Sequence, residues 1–264
     1  MKEIMYYVQD QALDEREHMI MKRILFAGDS ITKGELGCGY LPLLARQVPA
    51  FELINLGMDG DTVLGIMNRT TSHLREDSTY DLIVIAAGHN DIILSDFMKK
   101  SNIHVSIVKN LKKKGSVAAS DYDEFISTYT SFISAVRDIA PAPIMVTTMS
   151  CLNENLSAPT NKNRFIYNEG IRKMASEFNL HLADIAEEFD SVLKQRNCRD
   201  YFMDSLFESL LFDKRLSKTP GKADKLSEKR SLHVTIDGIH LNSKGAEIYS
   251  TLLTSKLTWM YKNT

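Results

Sequence analysis

Long apolar runs are missing from these 264 residues. No stretch approaches the roughly 20 apolar residues a membrane span needs, so no membrane-spanning helix is expected. The first segment, MKEIMYYVQDQALDEREHMI, is charged throughout and lacks the apolar centre of a signal peptide, so a cytoplasmic protein is expected. Cysteine is scarce: Cys38, Cys151 and Cys198 are odd in number and unpatterned. That speaks against a disulfide framework or a structural zinc site and for free thiols in a reducing compartment. An excess of one charge is also missing. With 32 Lys plus Arg against 34 Asp plus Glu, the net charge of -2 gives the whole chain no attraction to nucleic acid or to a membrane surface. No two histidines have metal-ligand spacing with a carboxylate on one helical face, so no catalytic metal is expected.

What is present is alternation. Strand-like apolar runs occur at Arg23–Ala27, Glu52–Leu56, Leu82–Ala87, Ile144–Thr148 and His181–Ile185. Helix-compatible stretches at Tyr40–Val48, Val63–Leu74, Tyr122–Ile139, Lys162–Phe178 and Lys244–Met260 complete the pattern. Such a chain folds as βα units on a mostly parallel sheet with both faces covered. In the last helix Ala246, Ile248, Tyr249, Leu252, Leu253 and Leu257 follow a helical period, and Asn242 or Ser243 stands ready to cap its start. Residues 21–264 read as one domain. Residues 1–20 read as an extension, either an added helix or an upstream translation start, without a catalytic role.

The first strand ends abruptly in F-A-G-D-S-I-T-K-G, where Gly28, Asp29 and Ser30 cannot fill a core. Open α/β sheets bind ligands outside the carboxyl ends of their strands, so Ser30 stands where chemistry is done. Three more stretches belong to the same end of the sheet: N-L-G-M-D-G-D-T at 55–62, G-H-N-D at 88–91, and D-G-I-H-L-N at 237–242. A serine hydroxyl is a weak nucleophile and needs a base, and the base needs a third group to fix its tautomer. His240 and Asp237, three positions apart on one turn, can supply both. Acyl transfer also builds charge on a carbonyl oxygen, for which the Ser30 N–H, the Gly60 N–H and the Asn90 side-chain amide are candidate donors. Asp61 and Asp91 read as helix caps or loop braces, His89 as a loop residue, His233 as incidental, and Cys38 as a packing residue near the pocket.

These stretches resemble the sequence blocks of the SGNH hydrolases, the GDSL esterase/lipase family. Gly28-Asp29-Ser30-Ile31 matches the first block with Ile in place of Leu. Gly57 to Thr62 matches the second, Gly88-x-Asn90-Asp91 the third, and Asp237-x-x-His240 the fifth. The resemblance implies a flavodoxin-like three-layer α/β/α sandwich with a five-stranded parallel sheet. It also implies ester hydrolysis without metal or organic cofactor, with Ser30, His240 and Asp237 as triad and Ser30, Gly60 and Asn90 as oxyanion hole. The expected partner is a small-molecule or saccharide ester, with an acetyl or other short acyl group. Acyl transfer, lysophospholipase or thioesterase chemistry on the same site remain alternatives, as does a relative that binds ligand without turnover.

Two stretches exceed the short connections of such folds, at about 92–121 and 186–236, and read as insertions with exposed basic loops. From Ile92 to Ser120 there are six lysines against the single acid Asp96. From Asp213 to Arg230 there are seven basic residues against three acids. Such loops serve either as solvated surface or as a positive rim that captures an anionic ester. Within the second insertion, Y-F-M-D-S-L-F-E-S-L-L-F at 201–212 has apolar residues at helical steps and reads as a helix beside the pocket.

Overall fold

The computed structural model describes residues 4–6, 21–98, 102–113, 115–202, 213, 215, 217 and 219–262. Five strands form the parallel sheet: β2 (Lys22–Gly28), β3 (Phe51–Gly57), β4 (Leu82–Ala86), β5 (Ile144–Thr147) and β6 (His181–Ala183). A short strand β1 (Ile4–Tyr6) adds to β3 in antiparallel sense, so the spatial order is β1-β3-β2-β4-β5-β6. Part of the amino-terminal extension is therefore strand rather than helix. The parallel strands alone run 2-1-3-4-5, the flavodoxin-like doubly wound order. All five residues of β4 are buried, which requires cover on both faces.

The helices that provide this cover follow from local sequence. In α1 (Ser30–Lys33), Asp29 caps the start by accepting from Ile31 N at 2.9 Å, and Gly34 ends it in the left-handed region. Helix α2 spans Leu41–Gln47 and α3 spans Val63–Glu76, the latter capped by Thr62. Helix α6 (Tyr122–Ile139) is capped by Asp121 and buries Phe125, Tyr129, Phe132, Ile133 and Val136, one stripe at helical spacing. Helices α7 (Pro159–Glu177) and α8 (Ile185–Leu193) flank β6, and α9 (Pro220–Lys229) precedes the final helix α10 (Ser243–Lys262). Asn242 caps α10 through Gly245 N at 3.0 Å. Its Ala246, Tyr249, Leu253 and Leu257 are buried, and truncating either leucine to alanine would cost about 2–5 kcal/mol. Helix α3 packs on α6 and α6 on α7, whereas α10 packs on α2, α8 and α9.

The first insertion is not a bare loop. It contains most of α4 (His89–Phe97) and all of α5 (Asn102–Lys113), and Ile92, Ile93, Leu94 and Phe97 are buried. Lysines dominate its composition only beyond Phe97, where α5 carries exposed Lys109, Lys112 and Lys113. Much of the proposed helix at 201–212 lies outside the described residues.

Register positions the site. Gly28 at the end of β2 pairs with Gly57 on one side and Ala86 on the other, and Ala86 pairs with Thr147. The loops after β2, β3, β4 and β5 thus leave the sheet at one level. These are the loops that carry Ser30, Gly60, Asn90 and Glu154.

Candidate active site

Ser30 opens α1, at the sharp exit from β2. Gly28 is required there because a Cβ would lie 2.1 Å from Thr32 Oγ1. Ser30 Oγ lies 3.0 Å from His240 Nε2, and His240 Nδ1 lies 2.7 Å from Asp237 Oδ2. Asp237 is completely buried, and its other oxygen accepts from Ile239 N at 3.0 Å and His240 N at 2.8 Å. Burial alone would raise its pKa, but the His240 charge and hydrogen bond, with these two N–H groups, hold it below the usual carboxylate value. An ionised Asp237 fixes the proton on Nδ1, so the Nε2 lone pair accepts from the Ser30 hydroxyl. Burial opposes charging of His240, yet Asp237, with Asp29 and Asp59 behind it, lifts the imidazole pKa above its ordinary value.

The turn that carries this pair is held from several sides. Thr235 bridges to Leu241, and Ile236 N donates to His240 O at 2.8 Å. Gly238 has φ +93, and a Cβ on it would stand 2.4 Å from Tyr201 O. On the nucleophile side, Cys38 N donates to Leu241 O at 2.7 Å. Gly37, at φ +77, passes so close that a Cβ would lie 2.2 Å from the same oxygen. Cys38 is buried, its Sγ 3.6 Å from Ser243 Oγ, and burial pushes its thiol pKa up.

Asn90, in the first turn of α4, donates one amide hydrogen to Asp61 O at 2.9 Å and keeps a second for a ligand. Gly60 has φ +72, and Leu111 of α5 lies over it, 3.1 Å from where a Cβ would stand. Among the described residues no acceptor takes up the Ser30 or the Gly60 N–H. The predicted Ser30, Gly60, Asn90, Asp237 and His240 thus stand on neighbouring loops at one end of the sheet. Ser30, His240 and Asp237 form one hydrogen-bonded chain.

Behind them lies a buried polar layer of which the sequence motifs reveal only part. Arg69 on α3 pairs with Asp61 and donates to Leu56 O at 3.0 Å and Gly28 O at 2.9 Å, tying the ends of β2 and β3 to the Gly60 loop. Asp91 is fully buried and accepts from Val63 N at 3.0 Å and Ala119 N at 3.2 Å. Burial pushes its pKa up to about 7 against those bonds. His89 is a buried bridge, 3.2 Å from Asp29 Oδ2 and 3.2 Å from Ser150 Oγ.

Glu154, Cys198 and His233 bring three possible metal ligands within 4.8 Å of one another, a grouping invisible in their sequence spacing. The Glu154 carboxylate, however, already accepts four hydrogen bonds from the segment His233–Thr235. It is committed to the backbone.

A family model described as GDSL-like lipase/acylhydrolase matches residues 26–248. No curated protein sequence matches the chain. Among solved structures, an acetylxylan esterase from Geobacillus stearothermophilus is similar, with a TM-score of 0.61 and 18% identity over 89% of this chain and 94% of that one. A catalytic mutant of it gives a TM-score of 0.62 at 17% identity with the same coverage. The acetyl xylan esterase AlAXEase gives a TM-score of 0.61 at 18% identity, over 89% of this chain and 99% of that one. At such identities the likeness is one of fold.

Proposed function

The chain belongs to the GDSL-like lipase/acylhydrolase family, and from that premise we propose that it is a serine esterase acting on carboxylic esters of acetyl or another short acyl group. The observation that carries this reading is the unbroken chain from Ser30 Oγ through His240 to buried Asp237, at 3.0 and 2.7 Å. Ser30 attacks the ester carbonyl as His240 Nε2 takes its proton. The tetrahedral oxyanion accepts from the Ser30 and Gly60 N–H groups and from Asn90 Nδ2, donors preorganised before charge develops. Collapse of the intermediate expels the alcohol, which takes the proton from His240 and leaves Ser30 acylated. Water, deprotonated by the same imidazole, then releases the acid and restores Ser30. Asp237 stabilises the imidazolium in both halves without taking the proton.

The saccharide alcohol draws support from the acetylxylan esterases that share the fold. The acetyl group draws on the same relatives. Labelling by a fluorophosphonate and turnover of p-nitrophenyl acetate test the reaction. Ser30→Ala should abolish labelling and lower kcat by about 10³-fold or more, with the fold intact by circular dichroism. Retention of more than about a tenth of the activity would refute the serine mechanism. A screen of acetylated sugars against longer acyl esters, lysophospholipids and acyl thioesters tests the substrate class.

A further inference from the structure

The loop after β5 contributes no atom to the reaction proposed above, yet it carries one of the most completely bonded carboxylates in the protein. Glu154 is 1% exposed. Its Oε2 accepts from His233 N at 2.6 Å, and its Oε1 accepts from Val234 N, Thr235 N and Thr235 Oγ1, each at 2.8 Å. Three successive backbone N–H groups closing on one anion form a nest, a concavity that holds its segment in a single shape. That segment runs straight into the Asp237–His240 turn. Thr235 passes the restraint on: its Oγ1 accepts from Gly238 N at 3.1 Å, and its backbone bridges to Leu241 beyond the histidine. The preceding residue of the same loop grips the turn from its far side, with Asn153 N donating to Gly238 O at 2.7 Å. Asn153 adopts φ +96 at this point, a conformation that few non-glycine residues accept.

We propose that Glu154 is the positioning residue of the acid–base turn, setting through the backbone of His233–Thr235 the distance at which His240 Nε2 meets Ser30 Oγ. The inference rests on the serine-esterase reading and deepens it. Glu154 touches neither substrate nor imidazole. It acts through geometry, and misplacement of a reacting group by an ångström is enough to cost about 10²-fold in rate.

The test uses two variants of the full chain. Glu154→Gln keeps the shape but leaves one acceptor oxygen where two are needed and turns an amide donor towards N–H groups. Thr235→Val removes only the hydroxyl that links Glu154 to Gly238. For each, kcat and KM on p-nitrophenyl acetate are measured together with the rate and final stoichiometry of fluorophosphonate labelling. Glu154→Gln is expected to lower kcat by about 30- to 100-fold with KM changed less than about twofold. The labelling rate should fall in the same ratio while every chain is still labelled in the end. Thr235→Val should move both quantities the same way by about three- to tenfold.

A merely structural role would instead lower the labelled fraction in step with kcat, and that result overturns the proposal. So does a folded Glu154→Gln with wild-type kcat and labelling rate. If Glu154→Gln does not fold, Thr235→Val decides alone, and wild-type rates in it overturn the proposal. Wild-type activity that survives Ser30→Ala would remove the esterase reading and this inference together. Activity that needs Ser30 but ignores Glu154 and Thr235 removes only the inference.

Discussion

His240 Nε2 lies 3.0 Å from Ser30 Oγ although 210 positions separate the two residues in the chain. The contact requires the last loop of the sheet to fold back over the first. As the proton-transfer path of the proposed reaction, it would make activity depend on the protonation of one imidazole.

Asp237, assisted by Asp29 and Asp59, lifts the His240 pKa despite burial. Only neutral imidazole can take the Ser30 proton, so kcat/KM should fall as pH drops through that raised value. The midpoint of the acid limb is expected above about 6.5, the ordinary histidine value. Asp237→Asn removes the supporting charge and should move the midpoint down while lowering kcat by about 10⁴-fold. A pH–rate profile of both proteins checks the sign, and a midpoint that rises in Asp237→Asn would contradict it.

Asn90 spends one amide hydrogen on Asp61 O and has a second to offer the oxyanion of the proposed reaction. Asn90→Ala should lower kcat by about 10²- to 10³-fold. KM should stay nearly constant, because the bond strengthens as charge develops on the oxygen. Steady-state kinetics on a short acyl ester distinguish this from a substrate contact, whose loss would raise KM and spare kcat.

Arg69 neutralises buried Asp61 and satisfies the carbonyls of Gly28 and Leu56. Arg69→Met strands a buried carboxylate and should destabilise the protein by about 3–5 kcal/mol in urea denaturation. Adding Asp61→Asn should recover part of that loss, because the stranded charge is gone. Equal stability of the single and double variants would mean that the pair is not the source of the effect.

Leu111 over Gly60 brings the last turn of α5, with exposed Lys112 and Lys113, next to the oxyanion loop. An anionic ester should therefore lose kcat/KM more steeply than a neutral ester of the same acyl group between about 20 and 300 mM salt. Replacing both lysines with glutamine should flatten the difference. Parallel salt curves in the unmodified enzyme would exclude electrostatic capture.

The part of this architecture legible in the sequence is the part written in short-range pattern. Strands such as Leu82–Ala86 announce themselves as apolar runs that stop at glycine, and helix Tyr122–Ile139 by its acidic cap and spaced aromatics. Ser30, Asn90, Asp237 and His240 are conspicuous because polar residues sit where strands end or a tight turn begins. Glu154 and Arg69 carry no such mark. Most of their partners are main-chain groups, up to 81 residues away for Glu154 and 41 for Arg69, and a backbone N–H or carbonyl has no residue type to read. The insertion after β4 misleads for the opposite reason. Its lysines dominate the composition, while Ile92, Ile93, Leu94 and Phe97 at its start belong to the core. His89 reads as a loop residue because its bond partners, Asp29 and Ser150, lie on two other loops.

The hydrogen bond from Cys38 N to Leu241 O fastens the loop after the nucleophile directly to the residue after the base, and Gly37 permits the approach. The spacing of the reacting pair is thereby held across a second seam, between two short turns, in addition to the Glu154 nest. The excursions around them are tied into these turns as well: Gly37 N donates to Ser217 Oγ at 3.0 Å, and Asp224 accepts from Ser243 N at 2.9 Å. A new rim grafted onto such a molecule would have to bring these fastenings with it to keep the working parts in place.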